Sequence, residues 1–249
     1  MPLNLYIILL LMLNLSTISC YANDWLSQDL QRFLPEWEQQ VLTQDQQSLL
    51  VVHRPAMTPY LQGTLLLLPD PAQHPATPKQ INFLRQHMNQ HGWATLAILT
   101  THWQPHSSEL ALPQLEQDLT LLLNQPEWQS GHLVVLAQGR SGNLISQLDW
   151  TKQPRQPDAL ILLSSYESEP AQNRALAKRI AQLSMPVLDL AHHLDHQHIA
   201  TTFELRLQWS QQQANLLYRQ RLLTGKPELE TTQQLLYKEL YGWLTYLGL

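Results

Sequence analysis

The sequence predicts an α/β fold built on a mostly parallel sheet with helices on both faces. Two observations carry that prediction. Short continuous apolar runs alternate along the chain with stretches of helical apolar spacing, and the runs lack the alternation expected of a sheet with one wet face. A third concerns size: 249 residues, 44% of them hydrophobic, can bury one sizeable core. The expected unit is a single domain over residues 23–249.

In chain order, "QSLLVVHRP" (47–55) and "GTLLLLPD" (63–70) read as strands, the second continuous enough for a sheet interior. A helix over 78–90 follows, because Ile81, Leu84 and Met88 recur at helical spacing behind Pro78, a residue suited to a first turn. "WATLAIL" (93–99) is the next strand, 108–123 the next helix, and "HLVVLA" (132–137) the strand after it. A helix beginning near Gly142 leads to the strand "DALILLS" (158–164), a helix over 170–183 and the strand "MPVLDLA" (185–191). A helix over 198–212, a weaker strand in "NLLYRQRLL" (215–223) and a closing helix over 228–247 complete the alternation. Only one short helix fits between 164 and 184, so no lid domain is expected and the site should be shallow and open. In such a sheet, ligands bind beyond the carboxyl ends of the strands.

Charge and cysteine usage narrow the partners. The formal net charge is -5 and the Lys and Arg residues are scattered, which leaves no basic footprint for a nucleic-acid partner. "LNLYIILLLMLNL" (3–15) is too short for a comfortable transmembrane helix and precedes small and polar residues, the pattern of a secretory signal. Residues 1–22 are therefore expected to be a signal peptide, cut after Ala22. The product would begin at Asn23, carry no transmembrane span and contain no cysteine, which suits a periplasmic or secreted protein. Two alternatives stay open: "TISC" as a lipoprotein signal that anchors the chain through Cys20, and an uncleaved apolar anchor.

The element order, with the strand-to-turn stretch "HLVVLAQGRSGN" (132–143), resembles the α/β-hydrolase superfamily over nearly the whole chain after the leader. A closer resemblance, carried by "LLVVHRPA" (49–56), "GTLLLLPDPAQHP" (63–75) and "HGWATLAI" (91–98), is to an uncharacterised proteobacterial family of exported hydrolase-like proteins, a domain of unknown function. The resemblance implies the fold and brings no substrate. It also implies where a catalytic triad would stand. The nucleophile of this superfamily sits on a tight strand-to-helix turn with small residues two before and two after it. In "AQGRS" those are Ala137 and Ser141, which puts Gly139, a residue with nothing to attack with, at the nucleophile position. The competing register makes Ser141 the nucleophile of "GRSGN", with the bulkier Asn143 two residues on. Asp195, in "PVLDLAHHLD", stands at the expected distance for the acid. The histidine should follow the next strand, but "LLYRQRLLTGKPELE" (216–230) has none, and none follows His198.

Other side chains offer binding chemistry. "HHLDHQH" holds His192, His193, Asp195, His196 and His198, a weak candidate for a transition-metal site, without an H-E-x-x-H pattern or a cysteine pair. The plainer reading is a polar loop, so neither metal nor cofactor is expected. His192 or His196 would be the base if Ser141 were reactive. Gln73 and His74, in "PDPAQHPATP", occupy the loop that supplies part of the oxyanion hole in hydrolases. Arg140 and the backbone N–H groups of "GRSG" open a helix, where an anion could bind. Trp103, with His102 and His106, could line the same cleft, whereas Trp25, Trp37 and Trp243 are expected as packing residues.

The expected function is a non-catalytic, exported α/β-hydrolase-like protein. It would bind a small anionic or acyl ligand, or an envelope protein, between the loops around His74, Gly139 and Asp195. The alternative is a divergent serine or metal-dependent hydrolase acting on esters or envelope components.

Overall fold

The computed structural model describes residues 30–44, 47–100, 103 and 108–249. Its strands are β1 (Gln39–Gln44), β2 (Gln47–Arg54), β3 (Gly63–Leu68), β4 (Trp93–Ile98), β5 (His132–Gln138), β6 (Ala159–Leu163), β7 (Val187–His192) and β8 (Tyr218–Leu223). They form one sheet in the order β1-β2-β4-β3-β5-β6-β7-β8, parallel from β4 to β8. The helices are α1 (Gln80–His87), α2 (Ser108–Leu123), α3 (Arg140–Gln147), α4 (Pro170–Gln182), α5 (Gln197–Gln212) and α6 (Glu230–Leu247). Between β6 and β7 the chain forms α4 and short connections, with no lid.

Successive strand side chains point to opposite faces, and both faces of this sheet are covered. On one face Leu66, Leu68, Val135, Leu160 and Leu162 pack with Leu115 and Leu119 of α2, Ile145 of α3 and Ile180 of α4. On the other, Leu65, Leu67, Val134, Leu136 and Ile161 pack with Leu84 of α1 and with Leu236, Leu240 and Trp243 of α6. This is why β3, β4 and β6 are buried at every position and read as unbroken apolar runs. Gly63 opens β3 for a steric reason: a Cβ there would stand 2.1 Å from the His132 carbonyl oxygen of neighbouring β5.

The structure departs from the sequence reading at the first edge. β1 was not anticipated; it pairs antiparallel with β2, which in turn pairs antiparallel with β4. "QQVLTQ" buries only Leu42, so an edge strand with one inward residue leaves little apolar signal. Elsewhere the shifts are small: α3 begins at Arg140, before Gly142, and β8 begins at Tyr218, after 215. Trp37 is no packing residue. It is 62% exposed, with the Arg54 guanidinium 5.6 Å from its ring. Trp243 is buried, while Trp25, Cys20 and the leader lie outside the described residues. Among the described residues no helix is long and apolar enough to cross a membrane.

Charged groups that lie within the interior are paired, as burial requires. Asp189 of β7 and Arg206 of α5 are each 0% exposed; one guanidinium nitrogen reaches both carboxylate oxygens at 3.1 and 3.2 Å. A second nitrogen donates to the Ser165 carbonyl at 2.6 Å, and the Tyr218 hydroxyl donates to Asp189 at 2.7 Å. Burial first, then the Asp189 charge, pushes the Tyr218 hydroxyl far above its ordinary value, so it stays protonated as a donor. The network ties β7, β8, α5 and the end of β6 together. A second buried pair, Arg85 with Glu38, fastens α1 to the segment entering β1.

Candidate functional site

The carboxyl ends of β3, β5, β6 and β7 meet in a cleft of about 260 Å³, walled in part by Asp70, Gln138, Gly139, Tyr166, Asp195 and Glu228. Its floor is the turn from β5 into α3. Gly139 takes φ 58° and ψ -128° there, a combination that is costly for a residue with a Cβ and open to glycine. The Gly139 N–H donates to the Leu163 carbonyl at 2.9 Å, so the turn is held by β6.

Asp70, two residues past β3, lies directly over that turn. A Cβ on Gly139 would stand 2.1 Å from Asp70 Oδ2. That oxygen accepts from the Arg140 N–H at 2.9 Å, and Asp70 Oδ1 accepts from the Ala72 N–H at 2.9 Å. The Arg140 side chain lies 3.8 Å from Oδ1. In α/β-hydrolases the N–H after the nucleophile and an N–H of the loop after β3 form the oxyanion hole. With Gly139 at the turn, the corresponding donors both face a carboxylate of the chain itself. Of the "GRSG" N–H groups, that of Arg140 is held by Asp70.

Ser141, the other candidate at the elbow, is 0% exposed and donates its hydroxyl to the Pro69 carbonyl at 2.6 Å. Asp195 stands in the cleft wall, where its Oδ2 accepts from the Ser164 hydroxyl at 2.5 Å and the His192 N–H at 2.6 Å. Ser164 takes φ 53°, a left-handed conformation that aims its hydroxyl at this carboxylate. The loop after β8, "TGKPEL" (224–229), brings Glu228 to the cleft.

The histidine-rich loop separates into distinct environments. His192 is buried at the end of β7, where its Nε2 lies 2.5 Å from the Gln80 amide nitrogen. Burial pushes this imidazole below its ordinary value, against the opposing charges of Asp195 and Glu228. His193 is exposed. His196 and His198 stack with ring centroids 4.5 Å apart, and His196 stacks on Tyr166 at 5.4 Å. Among the described residues no group of three His, Cys, Asp or Glu side chains could hold a metal ion.

Of the remaining candidates, Gln73 lines the cleft and His74 does not. His74 instead serves its own loop: its Nδ1 accepts from the Ala76 N–H at 3.2 Å. Trp103 is likewise not in the wall. It is 1% exposed within the core beside α2, and its indole donates to Asp118 at 2.9 Å. Its large apolar surface and single donor are both satisfied there. His102 and His106 lie outside the described residues. The sequence reading missed Asp70, Gln138, Tyr166 and Glu228. One signal was available: Gln138 is the polar last residue of β5 and Asp70 stands two residues past β3, at the end of the sheet where sites form.

The solved structures that superpose on this chain include hydrolases. The chain superposes on a dienelactone hydrolase from Anabaena variabilis with a TM-score of 0.63 at 14% identity, covering 84% of this chain and 98% of that one. Est1E from Butyrivibrio proteoclasticus gives 0.63 at 12% identity, with coverages of 84% and 98%. A soluble variant of monoglyceride lipase from Saccharomyces cerevisiae gives 0.65 at 11% identity, with coverages of 87% and 96%. At such identities the likeness shows the fold alone, which is that of the α/β-hydrolases. No curated protein matches the sequence. The sequence profile of one family matches residues 21–118 and 106–246, nearly the whole chain, and the chain therefore belongs to the family described as protein of unknown function (DUF3530).

Proposed function

We propose that this chain is an exported, non-catalytic member of the α/β-hydrolase fold that binds a small ligand or a partner in the cleft at the carboxyl ends of its strands. The observation that carries the reading is Gly139 at the strand-to-helix turn, with the Asp70 carboxylate in the space a nucleophile's side chain would need. Acyl transfer needs a nucleophile, a base within hydrogen-bond reach and free oxyanion donors. Ser141 is enclosed and bonded to Pro69, Glu228 stands in the loop that carries the histidine in hydrolases, and the Arg140 and Ala72 N–H groups already hold a carboxylate. Export is proposed from the apolar leader and the resemblance to exported bacterial proteins.

The test is covalent labelling by a fluorophosphonate serine probe beside turnover of short and long activated esters, with Ser141→Ala as control. A folded sample with neither labelling nor turnover agrees with the proposal. Labelling and turnover that vanish in Ser141→Ala would establish a divergent serine hydrolase instead, and turnover lost on chelation would establish a metal-dependent one. For export, the intact mass of the chain in the periplasmic fraction should begin at Asn23. An acylated Cys20 would make it a lipoprotein, and retention of residues 1–22 in the cytoplasm would overturn export.

A further inference from the structure

An exposed apolar surface lies at the end of the sheet opposite the cleft. β2 runs antiparallel to β1 and β4, with Arg54 beside Thr95, so the carboxyl end of β2 lies with the amino ends of β1, β3 and β4. Large apolar side chains stand in solvent there: Phe33 is 82% exposed and Met57 69%, and Trp37, Tyr60 and Leu61 are exposed as well. They come from the segment before β1 and from the β2–β3 connection. The Gln39 side-chain amide donates to the Gln31 and Leu34 carbonyls at 3.0 and 2.7 Å, which fixes the turn at 30–34 against the start of β1. The Arg54 guanidinium near the Trp37 ring joins the two segments.

The backbone holds this surface in place. The Met57 N–H donates to the Asn89 carbonyl at 2.9 Å and the Gln62 N–H to the Gly92 carbonyl at 2.7 Å, so the connection is tied to the segment before β4. "PAMTPYLQ" (55–62) contains no charged residue, and its two prolines restrict the backbone further. Exposed apolar groups gathered at one end of a domain mark a docking surface. Charge around them is balanced: Arg32 and Glu36 are both exposed, and Glu38 pairs with Arg54 and Arg85. Apolar burial rather than charge would therefore drive docking. The chain itself points to what is docked. Its apolar run at 3–15 ends fifteen residues before Leu30, at most about 54 Å of extended chain. A leader that enters a bilayer thus brings this end of the domain nearest to it, and tryptophan and tyrosine are the residues that favour the boundary between lipid and water.

We propose that the amino end of the sheet docks on a phospholipid bilayer, with Phe33, Trp37, Met57 and Tyr60 entering the boundary between headgroups and acyl chains. The cleft, at the other end of the same strands, then opens into water away from the bilayer. The proposal depends neither on the cleft being a binding site nor on the fate of the leader. Cleavage after Ala22, acylation of Cys20 and retention of residues 1–22 all leave these side chains on the folded domain.

The experiment uses the chain from Asn23, which keeps every described strand and helix and lacks the apolar run, so that binding reports the folded surface alone. It is floated with vesicles of phosphatidylcholine, with and without phosphatidylglycerol, at low and high salt. The expected result is flotation with both lipids and little effect of salt, because apolar insertion is not screened. The double variant Phe33→Ser, Met57→Ser, at exposed positions, should keep the wild-type melting curve and bind at least about tenfold more weakly. Leu194→Ser, an exposed leucine at the cleft end, should float as the wild type does. With brominated acyl chains, tryptophan emission should be quenched on binding, and Trp37→Phe should reduce that quenching while still floating. No flotation, flotation only with phosphatidylglycerol at low salt, unchanged binding in the double variant, or undiminished quenching in Trp37→Phe would overturn the proposal. A dimer that fails to float and that the double variant dissociates would assign this face to a second copy of the chain instead.

Discussion

Replacing Gly139 and Asp70 singly and together gives a direct measure of whether one fills the other's space. In Gly139→Ala the new Cβ would stand 2.1 Å from Asp70 Oδ2, so the carboxylate must leave its place. The variant then suffers twice. Holding alanine at φ 58° and ψ -128° costs about 1–3 kcal/mol. Displacing the carboxylate also loses its charge-assisted bonds from the Arg140 and Ala72 N–H groups, worth about 2 kcal/mol net at the mouth of a cleft. The expected loss is about 4 kcal/mol. Asp70→Ala loses only those bonds, about 2 kcal/mol. In the double variant the bonds are lost once and the clash is gone, so the total stays near ~4 kcal/mol, about 2 kcal/mol less than the sum of the singles. The assay is urea unfolding followed by tryptophan fluorescence, with eight tryptophans as reporters. Single effects that add within about 0.5 kcal/mol would refute the idea that Asp70 occupies the side-chain space at residue 139.

The buried Asp189–Arg206 pair gives a second expectation: Asp189→Ala leaves a guanidinium uncompensated in the interior and should cost about 3–5 kcal/mol, read as a lowered urea midpoint, while a loss below about 1 kcal/mol would contradict the burial of both partners. Gly63→Ala should force β3 and β5 apart at their amino ends; wild-type hydrogen-exchange protection of the His132 region in that variant would contradict the 2.1 Å approach. Burial holds the His192 and His53 imidazoles below their ordinary value of 6.5. The unfolded chain therefore binds more protons than the folded one in that range, so this contribution is complete above about pH 6.5 and is lost as the pH falls through the lowered values. Urea midpoints should fall from pH 7 toward pH 5, roughly, and the His53→Gln variant should show a shallower fall; identical slopes would exclude His53 as a contributor.

Much of the fold could be read from the sequence because its signals are local. A strand buried on both faces must be apolar throughout, so β3, β4, β5 and β6 each stood out as a continuous run. The helices followed from their apolar spacing, and the hydrolase-like order from the sequence of runs. β1 did not stand out because an edge strand with one inward leucine satisfies its backbone without an apolar pattern. Asp189 was hidden for the opposite reason: inside "MPVLDLA" it looks like a flaw in an apolar strand, and only Arg206 from α5 and Tyr218 from β8 make it tenable.

At the site, the chain order alone narrowed the turn to Gly139 or Ser141 and pointed to the loop carrying Asp195, since both stretches follow recognisable strands. The sequence by itself therefore determined which elements form, in what order, and at which end of the sheet a cleft must open. Tertiary structure alone decided what that cleft presents. Asp70, Gln138, Asp195 and Glu228 come from four loops or strand ends widely separated along the chain, and strand order sets which of them meet. Whether the Arg140 N–H faces a ligand or Asp70, and whether Gln138 finds a donor, depends on distances of a few ångströms across those loops. No local spacing encodes such distances, because they are set by how neighbouring strands pair and how the helices pack behind them.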